Sequence, residues 1–437
     1  MFPITNHFIS FSTEILLVAV LLIISGCAHV DISTVNCTEH PRRPFPQHTK
    51  YTEKSISPTV FNQTHQDQHV KDFYNDWKKH YLISAGENKA GQLMFRIAFG
   101  KHSDITVSEG QGYGMIITAL MAGYDPQAQT YFDGLWRFSR EYPSSHNENL
   151  MSWKIQNNKV VDGNGSAFDG DADISYALLL AEAQWGNQGK INYHEAALDV
   201  INAVYDSTIG PKSGLPMLGD WVTKDGKTFS QFTPRSSDFM PAHFRAFAHA
   251  SNNKQWQEVI ANSQNVIDFM QSRYSPKTGL LPDFISSCLK VEDCKPAEED
   301  FLEGPHDGDY HYNSGRVPLR LGIDALLYSN QQSKAQVQKI IRWLVSSSKG
   351  KSSRIKAGYK LDGQPYGHYF TSFFVAPFGV AAMLAPEHQG FLNSIYQRVY
   401  KLHEDYYEDS INLLSLFVMT RNYWTPESKQ RIAVECD

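Results

Sequence analysis

Apolar side chains recur every three or four residues along most of the chain after about residue 66, which is the spacing of one buried face of an α-helix. The Gly, Pro, Asn and Asp residues between these segments are typical of loops. Strand-like alternation is scarce and predicts short hairpins near residues 153–161 and 221–232. The periodicity predicts twelve helices, over residues 70–82, 112–121, 130–141, 174–184, 193–205, 237–250, 255–274, 317–329, 333–347, 371–385, 391–406 and 410–420.

Twelve helices in about 370 residues suggest six helical hairpins, either stacked as an open solenoid or closed into a ring. No fixed-period repeat is visible, which argues against a solenoid. A closed toroid gathers its hairpin loops at one end, around a cleft. The unusual polar motifs of this chain lie in loops or at helix starts, as a site at that end requires.

The N-terminus has the pattern of an export segment. Residues 15–24 form an unbroken apolar run, which is short for a membrane span but suits the core of a signal peptide. Residues 24–27 read Ile-Ser-Gly-Cys and resemble a bacterial lipobox, in which Cys27 is lipidated. Glu14 and the lack of Lys or Arg before the run keep plain secretion and a retained anchor open. We predict a signal peptide over 1–26, a Pro-, Thr-, His- and Gln-rich tether over 27–65, and a folded domain over 66–437.

Charge and cysteine content narrow the class of protein. The formal net charge of -6 argues against nucleic-acid binding, and abundant Asp, Glu, Tyr and Trp suit a carbohydrate or another polar polymer. No cysteine spacing resembles a zinc site. Export permits disulfides; Cys288 and Cys294 enclose a short loop and form one candidate pair, and Cys37 and Cys436 form another.

Carboxylates stand at the starts of two predicted helices. Residues 108–115 read Ser-Glu-Gly-Gln-Gly-Tyr-Gly-Met and place Glu109 among three glycines, which allow close backbone approach. Asp169, Asp171 and Asp173 precede a very apolar helix. Helix capping and dipole compensation explain one or two such acids without a functional role, but three exceed that need.

Two further segments combine charged and aromatic residues. Residues 235–238 read Arg-Ser-Ser-Asp, and residues 300–320 hold acids, histidines, tyrosines and two arginines at a loop-to-helix transition. A solvated polar loop is the structural alternative for residues 300–309. Trp153 and Trp221 lie near glycines in predicted loops, where they serve either as sugar-stacking platforms or as ordinary packing.

Together these motifs resemble glycoside hydrolase family 8 over residues 66–425. The segments that carry the resemblance are 108–115, 167–171, 219–221, 235–238, 312–320 and 358–363. The resemblance implies an all-α fold, an (α/α)6 barrel with short β-hairpins in its loops. It also implies an endo-acting hydrolase that cleaves β-1,4-linked glycans with inversion and needs no metal or organic cofactor.

The resemblance also implies roles for individual residues. Glu109 matches the general acid, and Asp169 matches an aspartate that positions the sugar and the attacking water. The resemblance and the loop chemistry indicate substrate-binding roles for Tyr113, Trp153, Trp221, Asp238, Tyr312, Asn313, Arg316 and Tyr359.

Asn313 departs from the pattern of many family members, which carry the general base as an Asp at that position. An amide cannot deprotonate water. The chain thus resembles the branch of chitosanases, licheninases and endoglucanases in which a Glu from an upstream loop serves as base. Glu303 is our candidate, and Glu299, Asp300, Asp307 and Asp309 are its competitors.

The expected partner is a polysaccharide, bound by a monomer that touches a membrane only through its N-terminal lipid. Chitosan and neutral β-glucans remain open as substrates. A catalytically inactive glycan-binding lipoprotein is the main alternative, because of Asn313, and a polysaccharide lyase on a similar toroid is another.

Overall fold

The computed structural model describes residues 41–100 and 103–427. All twelve predicted helices are present in these residues. Their bounds are α1 Gln63–Tyr81, α2 Ser108–Leu120, α3 Ala128–Glu141, α4 Phe168–Trp185, α5 Tyr193–Thr208, α6 Pro241–Ser251, α7 Gln255–Arg273, α8 Val317–Leu327, α9 Gln331–Ser347, α10 Ser372–Ala382, α11 Gln389–Val399 and α12 Tyr406–Met419. The predicted helix over 391–406 is too long, because Asp405 caps α12 by accepting a hydrogen bond from the backbone N–H of Tyr406.

Short antiparallel strands lie in the loops. They are β1 Leu82–Glu87, β2 Leu93–Ile97, β3 Ile105–Val107, β4 Lys154–Gln156, β5 Lys159–Val160, β6 Ile285–Ser286 and β7 Lys295–Pro296. β1 pairs with β2, β4 lies between β3 and β5, and β6 pairs with β7. The β4–β5 hairpin confirms the prediction over 153–161. The hairpin predicted over 221–232 is wrong, because turns such as Gly226 N–H to Thr223 C=O fold that segment.

The helices form two concentric layers. α2, α4, α6, α8, α10 and α12 each pack against the next, and α12 packs against α2, which closes an inner ring. Each outer helix packs on an inner helix that is its neighbour in the chain, and these outer helices are α3, α5, α7, α9 and α11. The sixth outer helix, α1, packs on α12. This arrangement confirms the predicted all-α (α/α)6 barrel.

Position in the ring explains the sequence character of each layer. An inner helix contacts neighbours on several sides, so it is apolar all round rather than along one stripe. Every residue of α10 is buried, and α2 buries all of its residues except Glu109. The outer helix α3 instead buries only six of its fourteen residues. The exception in α2 places a carboxylate at the open end of the ring.

The segment predicted as the end of a tether is a packed strap. Residues 41–62 run across the C-terminal ends of the inner helices, whose last carbonyls have no partner within the helix. Backbone N–H groups of the strap donate to these carbonyls, in the pairs Arg42–Gln184, Phe45–Ala122, Thr49–Arg421, Thr52–Leu326 and Ile56–Met383. The tether prediction is therefore wrong for these residues, because an extended, non-periodic segment can still be held by helix ends.

The cysteines divide between described and undescribed parts of the chain. Cys288 and Cys294 form the predicted disulfide, with their sulfurs 2.20 Å apart. Cys27, Cys37, Cys436 and the predicted signal peptide lie outside the described residues. Within residues 41–100 and 103–427, no helix is both long enough and apolar enough to cross a membrane.

We predict that Phe45→Ala lowers the free energy of unfolding by about 3–5 kcal/mol, the usual cost of removing a buried aromatic ring. Phe45 is 6% exposed and packs edge-on against Tyr124 and Phe417. Urea denaturation followed by circular dichroism measures the change. Leu289→Ala is the control, since Leu289 is 65% exposed. An equal free energy of unfolding in the two variants would contradict a stabilising role for the strap.

Candidate active site

The N-terminal ends of the inner helices meet at the open end of the ring. α2 begins at Ser108 and α4 at Phe168, while short 3₁₀ turns, Ser236–Asp238 and Ser314–Arg316, precede α6 and α8. A helix N-terminus carries partial positive charge and unpaired N–H groups. Carboxylates placed there are stabilised, and Glu109 and Asp169 both lie in first turns.

Glycines bring α2 and α4 into close contact at this end. A Cβ atom at Gly112 would lie 2.7 Å from Asp173 Cβ, and one at Gly170 would clash with the Ser108 side chain. Only glycine therefore permits this approach. The close approach sets Glu109 and Asp169 on facing helix starts, within reach of one common partner.

That partner is Arg316, whose guanidinium is buried between the two carboxylates. Its Nη1 donates to Glu109 Oε2 at 2.6 Å and to Asp169 Oδ2 at 2.8 Å. Its Nη2 donates to Ser237 Oγ and to Asn313 Oδ1, both at 2.9 Å. Four different loop-to-helix junctions are thus joined through one side chain.

Glu109 has the environment of a carboxyl group that can hold a proton. Its side chain is 17% exposed, and Tyr406 donates a hydrogen bond to Oε1 at 3.0 Å. Burial is the main cause that raises the pKa of Glu109 to about 7; Arg316 opposes the shift and Asp169 adds to it. At neutral pH a substantial fraction of Glu109 is therefore protonated.

Asp169 has the opposite character. Burial disfavours its charge, but Arg235 and Arg316 hold the pKa of Asp169 well below its ordinary range. Arg235 Nη2 lies 3.0 Å from Asp169 Oδ1, and Arg235 Nε donates to Asp238. Asp238 is fully buried, and burial raises its pKa to about 7. Asp238 therefore orients Arg235 rather than contacting a ligand.

Asn313 connects Arg316 to Glu303. Its Oδ1 accepts from Arg316, and its Nδ2 donates to Glu303 Oε2 at 2.8 Å. Desolvation of the carboxylate raises the pKa of Glu303, although the residue as a whole is exposed, while Arg235 and Asn313 oppose the shift. Glu303 therefore lies within hydrogen-bonding distance of Asn313.

The competing acids of the same loop are placed differently. Asp307 is buried and accepts three backbone N–H groups, and Asp309 pairs with His306 and Lys360. Glu299 and Asp300 are exposed, and neither is among the residues that line the cleft. Glu303 is the one acid of residues 299–309 that lines it.

The cleft has two adjoining lobes. One lobe of about 600 Å³ contains Glu109, Asp169, Glu303, Tyr312 and Asn313. The other, of about 530 Å³, is lined by Trp153, Trp221 and the glycine-rich segment 163–165. Trp153, Arg235 and Glu303 line both lobes. A linear polymer can therefore lie across aromatic rings and contact both glutamates.

Not every predicted binding residue contacts the cleft. Tyr113 is buried and its hydroxyl accepts from Arg316 at 3.2 Å, so it supports the arginine. Tyr359 is buried against Trp343, and its hydroxyl accepts from Lys356 N–H. Trp221, at 37% exposed, and Trp153 do line the cleft.

Sequence reasoning missed three site residues. Tyr406 and Tyr407 line the lobe beside Glu109, and paired tyrosines at the start of an apolar helix were the available signal. Asp283 is buried; its carboxylate accepts from the backbone N–H groups of His311, Asn313 and Ser314. No motif marks Asp283, because its function depends on a loop that approaches it from 30 residues further along the chain.

Comparisons with known proteins identify relatives of this chain. Residues 44–421 match the family model described as glycosyl hydrolases family 8. The chain is 44% identical over 388 residues to a β-glucanase of Niallia circulans, covering 88% of this chain and 92% of that protein. It is 40% identical over 401 residues to an endoglucanase of Bacillus sp. (strain KSM-330), with coverages of 90% and 84%. The solved structure of a β-1,3-1,4-glucanase from Paenibacillus sp. X4 matches with a TM-score of 0.84 and 42% identity, over 88% of this chain and 100% of that one.

Proposed function

Since the chain belongs to glycosyl hydrolases family 8 and is an O-glycosidase, we propose that it is an endo-acting β-glucanase. It cleaves β-1,4 bonds within a neutral glucan and inverts the anomeric configuration. The observation that carries this proposal is the pair Glu109 and Glu303, which line one cleft with different partners: Arg316 and Tyr406 bond to Glu109, and Asn313 bonds to Glu303.

Glu109 serves as the general acid in this mechanism. Its pKa of about 7 keeps it protonated at mildly acidic pH, so it can deliver a proton to the departing glycosidic oxygen. Arg316 and Tyr406 hold the two carboxyl oxygens in place. As the proton leaves, the nearby guanidinium stabilises the carboxylate that forms.

Glu303 serves as the general base. Inversion requires an ionised carboxylate that activates water on the face of the sugar opposite the acid. Asn313 donates a hydrogen bond to Glu303 Oε2, which leaves the other carboxylate oxygen to accept a proton from water. Asp169, held ionised by Arg235 and Arg316, hydrogen-bonds the distorted sugar or the attacking water.

Five acids outside the cleft lining give no support to a cationic substrate such as chitosan. Several acids that would attract a cationic polymer are engaged within the protein. Asp171, Asp238 and Asp307 are buried, Asp309 pairs with Lys360, and Asp220 accepts from Ser144 and from the Ser166 N–H. The names of the relatives, β-glucanase and endoglucanase, point the same way.

The same cleft argues against the inactive glycan-binding alternative. That alternative depended on Asn313, which cannot act as a base. The carboxylate of Glu303 lies 2.8 Å from the Asn313 amide and supplies the missing group.

We further propose that the protein is exported, as a lipoprotein attached through Cys27 or in secreted form. The Cys288–Cys294 disulfide supports an oxidising compartment.

A substrate panel tests the proposed specificity and stereochemistry together. We expect reducing-sugar release from mixed-linkage β-glucan and carboxymethylcellulose to exceed release from chitosan. Proton NMR of the first product should show the α-anomer before mutarotation. Preferential cleavage of chitosan would overturn the substrate proposal, and a fresh β-anomer would overturn inversion.

We predict that kcat/KM of the wild type falls above about pH 7, because the general acid must be protonated and the pKa of Glu109 is raised to about 7. Glu109→Gln should lower turnover of β-glucan by about 10²–10⁴-fold and keep activity on an aryl glycoside whose leaving group needs no proton. Glu408→Gln is the matched control, since Glu408 lines the same lobe and its pKa is also raised to about 7. An alkaline limb that disappears in Glu408→Gln but not in Glu109→Gln would reassign the acid.

We predict that Glu303→Gln also lowers turnover by about 10²–10⁴-fold, and that sodium azide restores it. Azide attacks without losing a proton, so it bypasses the base, and it should yield an α-glycosyl azide. Glu299→Gln is the control, because Glu299 is exposed on the same loop. If Glu303→Gln keeps wild-type activity, the base lies elsewhere.

A further inference from the structure

The loop that carries Glu303 is folded around a single buried side chain. The backbone N–H groups of Leu302, Glu303 and Gly304 donate to the carboxylate of Asp307 at 2.6, 2.9 and 3.2 Å. Asp307 is only 3% exposed. Its own backbone N–H donates to the carbonyl of Gly304 at 3.3 Å, which closes the turn.

Both ends of this turn are attached to the body of the protein. Before Glu303, the ring of Phe301 packs edge-on against Phe229 and lies 5.9 Å from the ring of Phe284. After it, the carbonyl of Asp307 accepts from the Phe284 N–H at 2.9 Å. The backbone at Glu303 is therefore fixed from both sides, and Asp307 is the element that holds it between them.

The group that Glu303 meets is fixed by a second buried aspartate. Asp283 Oδ2 accepts from the backbone N–H of Asn313 at 2.9 Å and from its Nδ2 at 3.2 Å. The same Nδ2 donates to Glu303 Oε2 at 2.8 Å. Asp283 thus sets the position of the amide, and Asp307 sets the position of the carboxylate that meets it.

Asp307 does not have the placement of a base itself. Oδ2 accepts from two N–H groups and Oδ1 from a third. The residue is also not among those lining either lobe of the cleft. The three N–H groups that converge on the carboxylate include that of Glu303 itself, so Asp307 acts directly on the backbone of that residue.

We propose that Asp307 is a positioning residue for the general base, holding the Glu303 backbone so that its carboxylate reaches the attacking water. The proposal rests on the proposed function, in which Glu303 is that base. A displacement of about 1 Å at a catalytic group can cost about 10²-fold in rate, so the loss of these N–H contacts affects turnover more than substrate binding.

The test compares Asp307→Asn and Asp307→Ala with Asp309→Asn. Asp309 is an aspartate two positions along the same loop whose carboxylate pairs with His306 and Lys360 instead. For the Asp307 variants we expect kcat on β-glucan to fall by about 10–100-fold, KM to stay within about twofold, and azide to restore turnover. Asp309→Asn should keep kcat near wild type. Thermal unfolding of all three confirms that they are folded.

The outcomes distinguish a failure of the positioning role of Asp307 from a failure of the proposal that Glu303 is the general base. Wild-type kcat in both Asp307 variants, with an inactive Glu303→Gln, would overturn only the positioning role. A loss of kcat that azide does not restore in a folded Asp307 variant would also overturn it, since the defect would then lie outside the base. Wild-type activity in Glu303→Gln would instead overturn the base assignment itself.

Discussion

The site depends on one buried guanidinium shared by two carboxylates. Arg316 lies 2.6 Å from Glu109 and 2.8 Å from Asp169, and one positive charge cannot fully compensate both. Arg235 adds a second cation, which is in direct contact with Asp169. The result is two carboxyl groups with divergent pKa values, raised at Glu109 and lowered at Asp169. Divergence of this kind lets neighbouring acids take opposite roles at one pH.

The closed ring makes this arrangement possible, but it also leaves unpaired helix carbonyls at its other end. The inner helices present their N-termini around the cleft, where partial positive charge favours carboxylates. Their C-termini must then gather at the opposite end, with unpaired carbonyls. The strap over residues 41–62 donates backbone N–H groups to carbonyls at the ends of α2, α4, α8, α10 and α12. Carboxylate side chains therefore compensate the helix N-termini at one end of the ring, and backbone N–H groups of the strap pair with the helix carbonyls at the other.

Periodicity predicted the outer helices because each buries one face, and the inner helices, apolar all round, still place apolar residues at three- and four-residue spacing between loop segments. Glu109 and Asp169 were also accessible, since each stands in a glycine-containing motif at a helix start. The strap was not, because its hydrogen bonds come from the backbone and leave no pattern in side-chain type. Asp283, and the role of Asp307, which the sequence offered only as a competing base, could not be predicted for a related reason. Their carboxylates act on backbone N–H groups of a loop, so only the folded loop shows what each one holds.

The placement of Glu303 explains why residue 313 is an asparagine. Its amide accepts from Arg316 on one side and donates to Glu303 on the other. A carboxylate at 313 would still accept from the arginine, but it has no hydrogen to donate and would set a second negative charge against Glu303. The amide is neutral and can both accept and donate, so it links Arg316 to Glu303, the proposed base, without competing for a proton. In the proposed mechanism Asn313 and Glu303 therefore act as a pair, because a base that enters from the upstream loop is best served by a neighbour that is an amide.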